Sequence, residues 1–298
     1  LMHFMGKPDS ANYFFDRAIR NIDPVNTDPE QLYYLPGTIY GNWTMVKQSA
    51  GAYDTAMQLT LKSIASFNAF LKKTNNHPLT EKVHGNLSIA YRNLGSLYND
   101  LGNKERAIQV ATMGYHHAKE NFLPNTVQYF SAILMMGEAH LYAAYRDKAR
   151  KYLEEAEASL ITIPGKNWSY TANLYSTLGD LEKKEDNFKL AIDHYLDCLE
   201  AYANSNPDDF SQNTVVVRLN LAQTYASDGQ FDMGLALLEN TLERIRSTHG
   251  RNSYLGKMAQ ITQVRIYDLK GDDEAVEKLC ERLLQTYSDA PESSNAAY

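Results

Sequence analysis

Cysteine is nearly absent from this chain. The two present, Cys198 and Cys280, lie 82 residues apart. They have neither the CxxC spacing of a metal or redox pair nor the numbers of a disulfide framework, and a reducing compartment is the easier fit. Tryptophan is as scarce, at two residues, while 9 prolines and 16 glycines in 298 residues are ordinary amounts. That excludes collagen-like and low-complexity chains. No run approaches the roughly 20 consecutive apolar residues of a membrane span, so membrane insertion is not expected. Positive charge is not in excess either: 29 Lys and Arg stand against 36 Asp and Glu, a net charge of −7. Without a basic surface, neither nucleic acid nor anionic membrane is expected as the main partner. The N-terminal residues lack the sustained apolar stretch of a signal peptide. A cytoplasmic location is expected, or a periplasmic one where a targeting segment has been removed.

What the chain does have is apolar material for a core, 44% of its residues, and an unusual amount of tyrosine, 21 residues. It also has a period. A polar or aromatic residue is followed four positions later by a turn residue and five positions after that by a compact one; Tyr98, Gly102 and Ala107 are the clearest copy. Tyr225, Gly229 and Gly234 repeat it, as do Tyr267, Gly271 and Val276. His140, Ala144 and Ala149, and Glu182, Asp186 and Ala191, keep the spacing with the glycine lost. Lys47, Gly51 and Ala56 precede them, and Gly6 with Ala11 opens the chain. The turn positions 6, 51, 102, 144, 186, 229 and 271 are separated by steps of 45, 51, 42, 42, 43 and 42 residues. Four near-equal steps in succession mark an internal repeat, with insertions in the first two units.

Each unit carries two helical patterns. Before the turn, Leu87, Ala90, Tyr91, Leu94, Leu97, Tyr98 and Leu101 recur three and four apart; after it, Ala107, Ile108, Ala111, Tyr115 and Ala118 do the same. That spacing puts apolar side chains on one helix face, and the short turn makes the two helices an antiparallel hairpin. Breaker and capping residues separate the units, among them Asn76-His77-Pro78, Leu123-Pro124-Asn125 and Asn206-Pro207-Asp208. Proline suits a first helical turn, and Asn or Ser an N-cap. No segment alternates apolar and polar residues over a strand's length, so the chain is expected to be all-α. Gly95 and Ala107 are expected on facing helices of one hairpin, where a small side chain on each side allows close approach. A lone hairpin cannot bury its apolar face, so tyrosines such as Tyr91, Tyr98, Tyr142, Tyr195 and Tyr225 are expected to pack between hairpins. Residues 31–40, dense in aromatics and broken by Pro36-Gly37, are expected to kink the first helix of their unit or to cap a neighbouring module.

Leu94-Gly95-Ser96-Leu97-Tyr98 followed by Ala107 resembles the tetratricopeptide repeat family, whose consensus places Leu-Gly-x-x-Tyr on a first helix and Ala early on the second. Met136-Gly137 with Ala149 and Leu178-Gly179 with Ala191 also fit; Leu221-Ala222 with Tyr225 fits more loosely, and Trp43-Thr44 and Val264 are degenerate. The step of 42 residues exceeds the usual ~34 by roughly one turn per helix, similar to the repeats of kinesin light chains and of bacterial signalling proteins. The resemblance implies a right-handed superhelix of about six full hairpins and one half hairpin over residues 1–287, with 288–298 a polar tail or linker. Gly6 would be the turn of a hairpin whose first helix precedes Leu1, so the natural protein is expected to extend further.

In such arrays the first helices line a concave groove, and the resemblance carries groove-facing positions onto this sequence. In the second full unit they are Ile89, Arg92, Asn93, Ser96 and Asn99. In the third they include Leu134 and Glu138, beside Ser131, Met135 and Leu141. In the fourth they include Asn173 and Asp180, beside Ser176, Thr177 and Lys183; in the fifth, Leu219, Asn220 and Gln223, beside Val216 and Ala226. Asn42 belongs to the first full unit. In kinesin light chain repeats an Asn at the position of Asn42, Asn93 and Asn220 contacts the bound peptide backbone, because an amide both donates and accepts. The basic clamp of chaperone-tail-binding members is missing, since only Arg92 is basic at its position. The chain also lacks GxSxG, HExxH, Walker and GxGxxG motifs. His116 and His117 are adjacent and point to different helix faces, which disfavours a shared metal. The expectation is a non-catalytic scaffold that binds a peptide or partner domain, with no cofactor or metal and with self-association through apolar end hairpins open to it. The alternative is a sensory or regulatory segment of a larger bacterial signalling protein, such as a histidine kinase, transcription regulator or caspase-like protease.

Overall fold

The computed structural model describes residues 8–23, 25, 27–248 and 253–288. Among these it has thirteen α-helices, one π-helical turn and no strand. Helix α1 (Pro8–Arg20) comes first. Six hairpins follow: α2 (Leu35–Ser49) with α3 (Tyr53–Lys73), α4 (Thr80–Asp100) with α5 (Lys104–Asn121), α6 (Val127–Tyr142) with α7 (Arg146–Thr162), α8 (Trp168–Lys184) with α9 (Phe188–Ser205), α10 (Gln212–Ser227) with α11 (Phe231–Thr248), and α12 (Tyr254–Lys270) with α13 (Asp273–Ser288). The all-α repeat of hairpins is therefore the one expected. The chain divides into two compact units, one up to Pro164 and one from Gly165. The turn at Gly6 and residues 289–298 lie outside the described residues.

The spacing of the motif has a backbone cause. Gly51, Gly102, Ala144, Asp186, Gly229 and Gly271 all adopt the left-handed conformation, with φ of 73°, 71°, 64°, 60°, 80° and 72°. At each turn the next residue's N–H reaches back five residues: Asn103 to the Tyr98 carbonyl at 2.8 Å, Tyr145 to His140 at 2.9 Å, Asn187 to Glu182 at 2.9 Å and Gln230 to Tyr225 at 2.8 Å. This is the Schellman closure of a helix C-terminus. The leading motif residue supplies the acceptor, the turn residue supplies the positive φ, and the trailing residue makes the first hydrogen bond of the next helix, as Ala107 does to the Asn103 carbonyl at 3.0 Å. Only backbone groups are involved, so Ala144 and Asp186 can replace glycine at a conformational cost of order 1 kcal/mol.

In the first unit, residues 30–34 form a π-helical turn whose end is marked by the Leu35 N–H bonding the Glu30 carbonyl. Pro36 follows and has no N–H to return to an α register. Tyr34 from this turn packs on Phe67 and Phe70 of α3. Gly37 is buried where the Phe67 ring would stand 2.7 Å from a Cβ, so α2 and α3 can approach only there without a side chain. Gly95 and Ala107 lie on the two helices of hairpin α4–α5, and a Cβ on Gly95 would meet Met135 of α6 at 3.2 Å and Val110 of α5 at 4.0 Å. In the later hairpins, large side chains four residues past the small one fill the equivalent space, Leu153 against Gly137 and Tyr195 against Gly179. Here that residue is Ala111, and Met135 enters from the next hairpin instead, also reaching Gly114.

Hairpin α4–α5 also holds a histidine pair. The His117 Nε2–H donates to the His84 carbonyl at 3.2 Å, and the two rings lie 5.1 Å apart. Tyr91 and Phe122 flank His117. Burial pushes both imidazoles below their ordinary value of 6.5. His117 Nδ1 faces the Asn121 amide at 3.5 Å, and no group of three His, Cys, Asp or Glu among the described residues is placed to hold a metal ion.

The second unit has two apolar clusters. One joins Ala172, Tyr195, Cys198, Val217 and Leu221 across α8, α9 and α10. The other joins Leu219, Ala222, Leu238, Leu255 and Ile266 across α10, α11 and α12. Helix α10 thus feeds both, packing on α9, α11 and α12. Ser211 and Ser253 cap α10 and α12 with their hydroxyls, accepting from the N–H of Thr214 and Gly256 at 3.4 Å and 3.2 Å. Of the tyrosines expected to pack between hairpins, Tyr91 and Tyr98 join the core of the first unit and Tyr195 and Tyr225 that of the second, but Tyr142, at 53% exposed, joins neither. Among the described residues no helix is long and apolar enough to cross a membrane.

Candidate ligand-binding faces

In the first unit, α2 presents Asn42 and Met45 to solvent, and α4 presents Ile89, Arg92 and Ser96. Met45 is 54% and Ile89 50% exposed, although Val83, Leu87, Leu94 and Leu97 on the same helix as Ile89 are buried. Asn93 and Asn99 are half-buried, and the Asn99 side-chain oxygen is buried without a hydrogen-bond partner among the described residues. The apolar stretch expected on α6 is not available to a ligand. Leu134, Met135 and Leu141 are 6%, 5% and 3% exposed, while Ser131 and Glu138 are half-buried. The reason is that α6 is apolar on nearly every side, and such a helix is buried all round.

In the second unit the expected residues come together as an interlocked polar ladder. Asp180 Oδ1 accepts from the Tyr195 hydroxyl at 2.6 Å and from the Asn220 amide at 3.2 Å. Lys183 Nζ donates to Gln223 Oε1 at 3.1 Å. Both bridges run from α8 to α10 over 40 residues, three fewer than the 43-residue step between the two turns. Asn173 accepts from the Tyr202 hydroxyl at 3.4 Å, and Leu219 is packed away at 3% exposure.

Burial sets the charges of this ladder. It pushes the Asp180 carboxyl above the usual carboxylate range, against the Tyr195 hydrogen bond and the charges of Lys183 and Lys184. It pulls Lys183 down, which Asp180 opposes and Arg265 of α12 reinforces. Cys198, fully buried below, has its thiol pushed up by burial to about 12, so it remains protonated at neutral pH and acts as a compact spacer. Arg265 was not among the expected positions. It directly follows the degenerate Val264, and counting one residue past the small position of the other hairpins finds it.

A sequence model of the tetratricopeptide repeat matches residues 214–254, which cover most of hairpin α10–α11 and the start of α12. No curated protein sequence matches significantly. Among solved structures, the apo form of RapI is 14% identical and covers 93% of this chain and 90% of its own, with a TM-score of 0.65. A Rap protein complexed with Competence and Sporulation Factor is 9% identical over 93% of this chain and 79% of its own, with a TM-score of 0.62. A putative kinesin light chain from Podosopora anserina with nearly identical TPR-like repeats is 15% identical over 73% of this chain and 100% of its own, at 0.55. At these identities the likeness is one of fold. The chain resembles the tetratricopeptide repeat proteins, and its structural neighbours include kinesin light chain-like and Rap proteins.

Proposed function

We propose that this chain is a non-catalytic interaction scaffold that binds a peptide or a partner's segment along the inner-helix face of α2 and α4. One observation carries the reading: Met45 and Ile89 are half-exposed on first helices that also expose Asn42, Arg92 and Ser96. An apolar patch rimmed by polar groups has the composition of a binding face. Ile89 and Met45 would take an apolar anchor, the Asn93 amide would pair with ligand backbone, and Arg92 would take an acidic group. The likeness to a Rap protein complexed with Competence and Sporulation Factor supports the reading, since a protein of similar fold takes a bound factor.

The test begins with capture of partners on the full chain, identified by mass spectrometry, followed by calorimetry. The double variant Arg92→Ala, Asn93→Ala is expected to bind the captured partner about tenfold or more weakly. Its melting temperature should stay close to that of the parent, because surface changes of this kind shift stability by about 0.5 kcal/mol or less. Unchanged affinity would overturn the assignment of this face.

A further inference from the structure

Arg218 on α10 and Arg244 on α11 lie outside the inner-face positions discussed above, toward the hairpin end where residues 206–211 connect α9 to α10. Arg244 is anchored. Its guanidinium lies over the Phe210 ring, 4.3 Å from the centroid, and its Nη2 donates to the Asp208 carbonyl at 3.0 Å. Arg218 is not. Its Nε is buried with no hydrogen-bond partner among the described residues. The loop carboxylate of Asp209 is engaged elsewhere, accepting from the hydroxyls of Ser211, at 3.0 Å, and Thr214. Burial works against the Arg218 charge and Arg244 adds a like charge, with no acid acting to offset them.

A half-desolvated guanidinium beside a second one, with no counter-ion, is a cost to the fold unless a ligand supplies the negative charge. Guanidinium forks match tetrahedral oxyanions in pairs of hydrogen bonds, and two positive charges match a dianion best. We propose that Arg218 and Arg244 form a binding site for a phosphate group, carried either by free phosphate or by a phosphorylated residue of a partner. Phe210 holds one fork in place, and the Nη groups of Arg218, which make no hydrogen bond among the described residues, are the donors left for the ligand.

The full chain is titrated with inorganic phosphate at constant ionic strength, with chloride as the control, and then with a phosphoserine peptide and its unphosphorylated twin. Binding is read by calorimetry and by thermal melting. Phosphate or the phosphopeptide is expected to bind and raise the melting temperature, where chloride and the plain peptide do not. A response to the phosphopeptide alone assigns the site to a partner; a response to free phosphate as well assigns it to the group itself. Arg218→Met and Arg244→Gln are each expected to weaken binding by roughly tenfold or more. Without ligand, Arg218→Met should melt no lower than the parent, since it removes an unpaired charge. The proposal is overturned if neither phosphate form binds, if the Arg218→Met chain binds as the parent does, or if that variant is strongly destabilised without ligand.

Discussion

Asp180 shows how one side chain can be both a satisfied acceptor and an unwelcome charge. Two donors meet at its Oδ1, yet burial raises its proton affinity above the ordinary 3.8. A carboxyl with a raised folded value contributes stability that is complete below 3.8 and is lost as pH rises through the folded value. Asp180→Asn keeps an oxygen for the Tyr195 hydroxyl and the Asn220 amide while removing the charge. It is expected to melt at or above the parent temperature near neutral pH, with a flatter dependence between about pH 4 and about pH 8. Asp180→Ala strands both donors and is expected to cost about 1–3 kcal/mol. Equal destabilisation by the two variants in thermal melts would show that the charge itself holds the ladder. At this scale the sequence was only partly legible. Asp180, Asn220 and Gln223 could be placed on one side of their helices by counting, but their hydrogen bonding could not, because it depends on how far one hairpin slides past the next.

At the scale of the element, hairpin α4–α5 carries a sensitivity to acid. Burial holds His84 and His117 below 6.5, with the His84 carbonyl and Glu120 partly opposing this for His117. Depressed folded values mean that the stability they contribute is complete above 6.5 and is lost as pH falls below it. A protonated His117 would also turn an Nδ1–H toward the donor amide of Asn121. His117→Gln retains a donor for the His84 carbonyl and is expected to lessen the fall in melting temperature between about pH 7.5 and about pH 5.5. The same fall in parent and variant would remove this hairpin from the account of acid behaviour. Helices and turns were the most legible part of the chain. The motif spacing follows from a Schellman closure that any residue tolerating φ near +60° can make, so the period survived the loss of glycine at 144 and 186. Exposure was not legible. Leu134 and Leu219 share inner-face positions with polar residues in neighbouring repeats, and only their surroundings bury them.

At the scale of the molecule, each compact unit owns a core. Phe67, Leu87, Leu94 and Met135 belong to one cluster before Pro164, while Tyr195, Leu221, Leu238 and Ile266 lie in the clusters after it. Stability in repeat proteins is built from hairpins and their nearest neighbours, so none of these clusters is expected to depend on distant chain. Produced separately, the residues up to Pro164 and those from Gly165 are each expected to give a helical circular dichroism spectrum and a cooperative melt. A piece without a cooperative transition would show that its core is incomplete alone.

The ladder between α8 and α10 carries one more consequence. Its two bridges fall three residues short of the repeat step, which sets the second helix ahead of the first by about 4.5 Å along its axis. Hairpins in this unit are therefore not interchangeable bricks laid level. They have a phase, and a hairpin grafted, deleted or duplicated here would have to keep that three-residue offset for its polar rungs to find their partners.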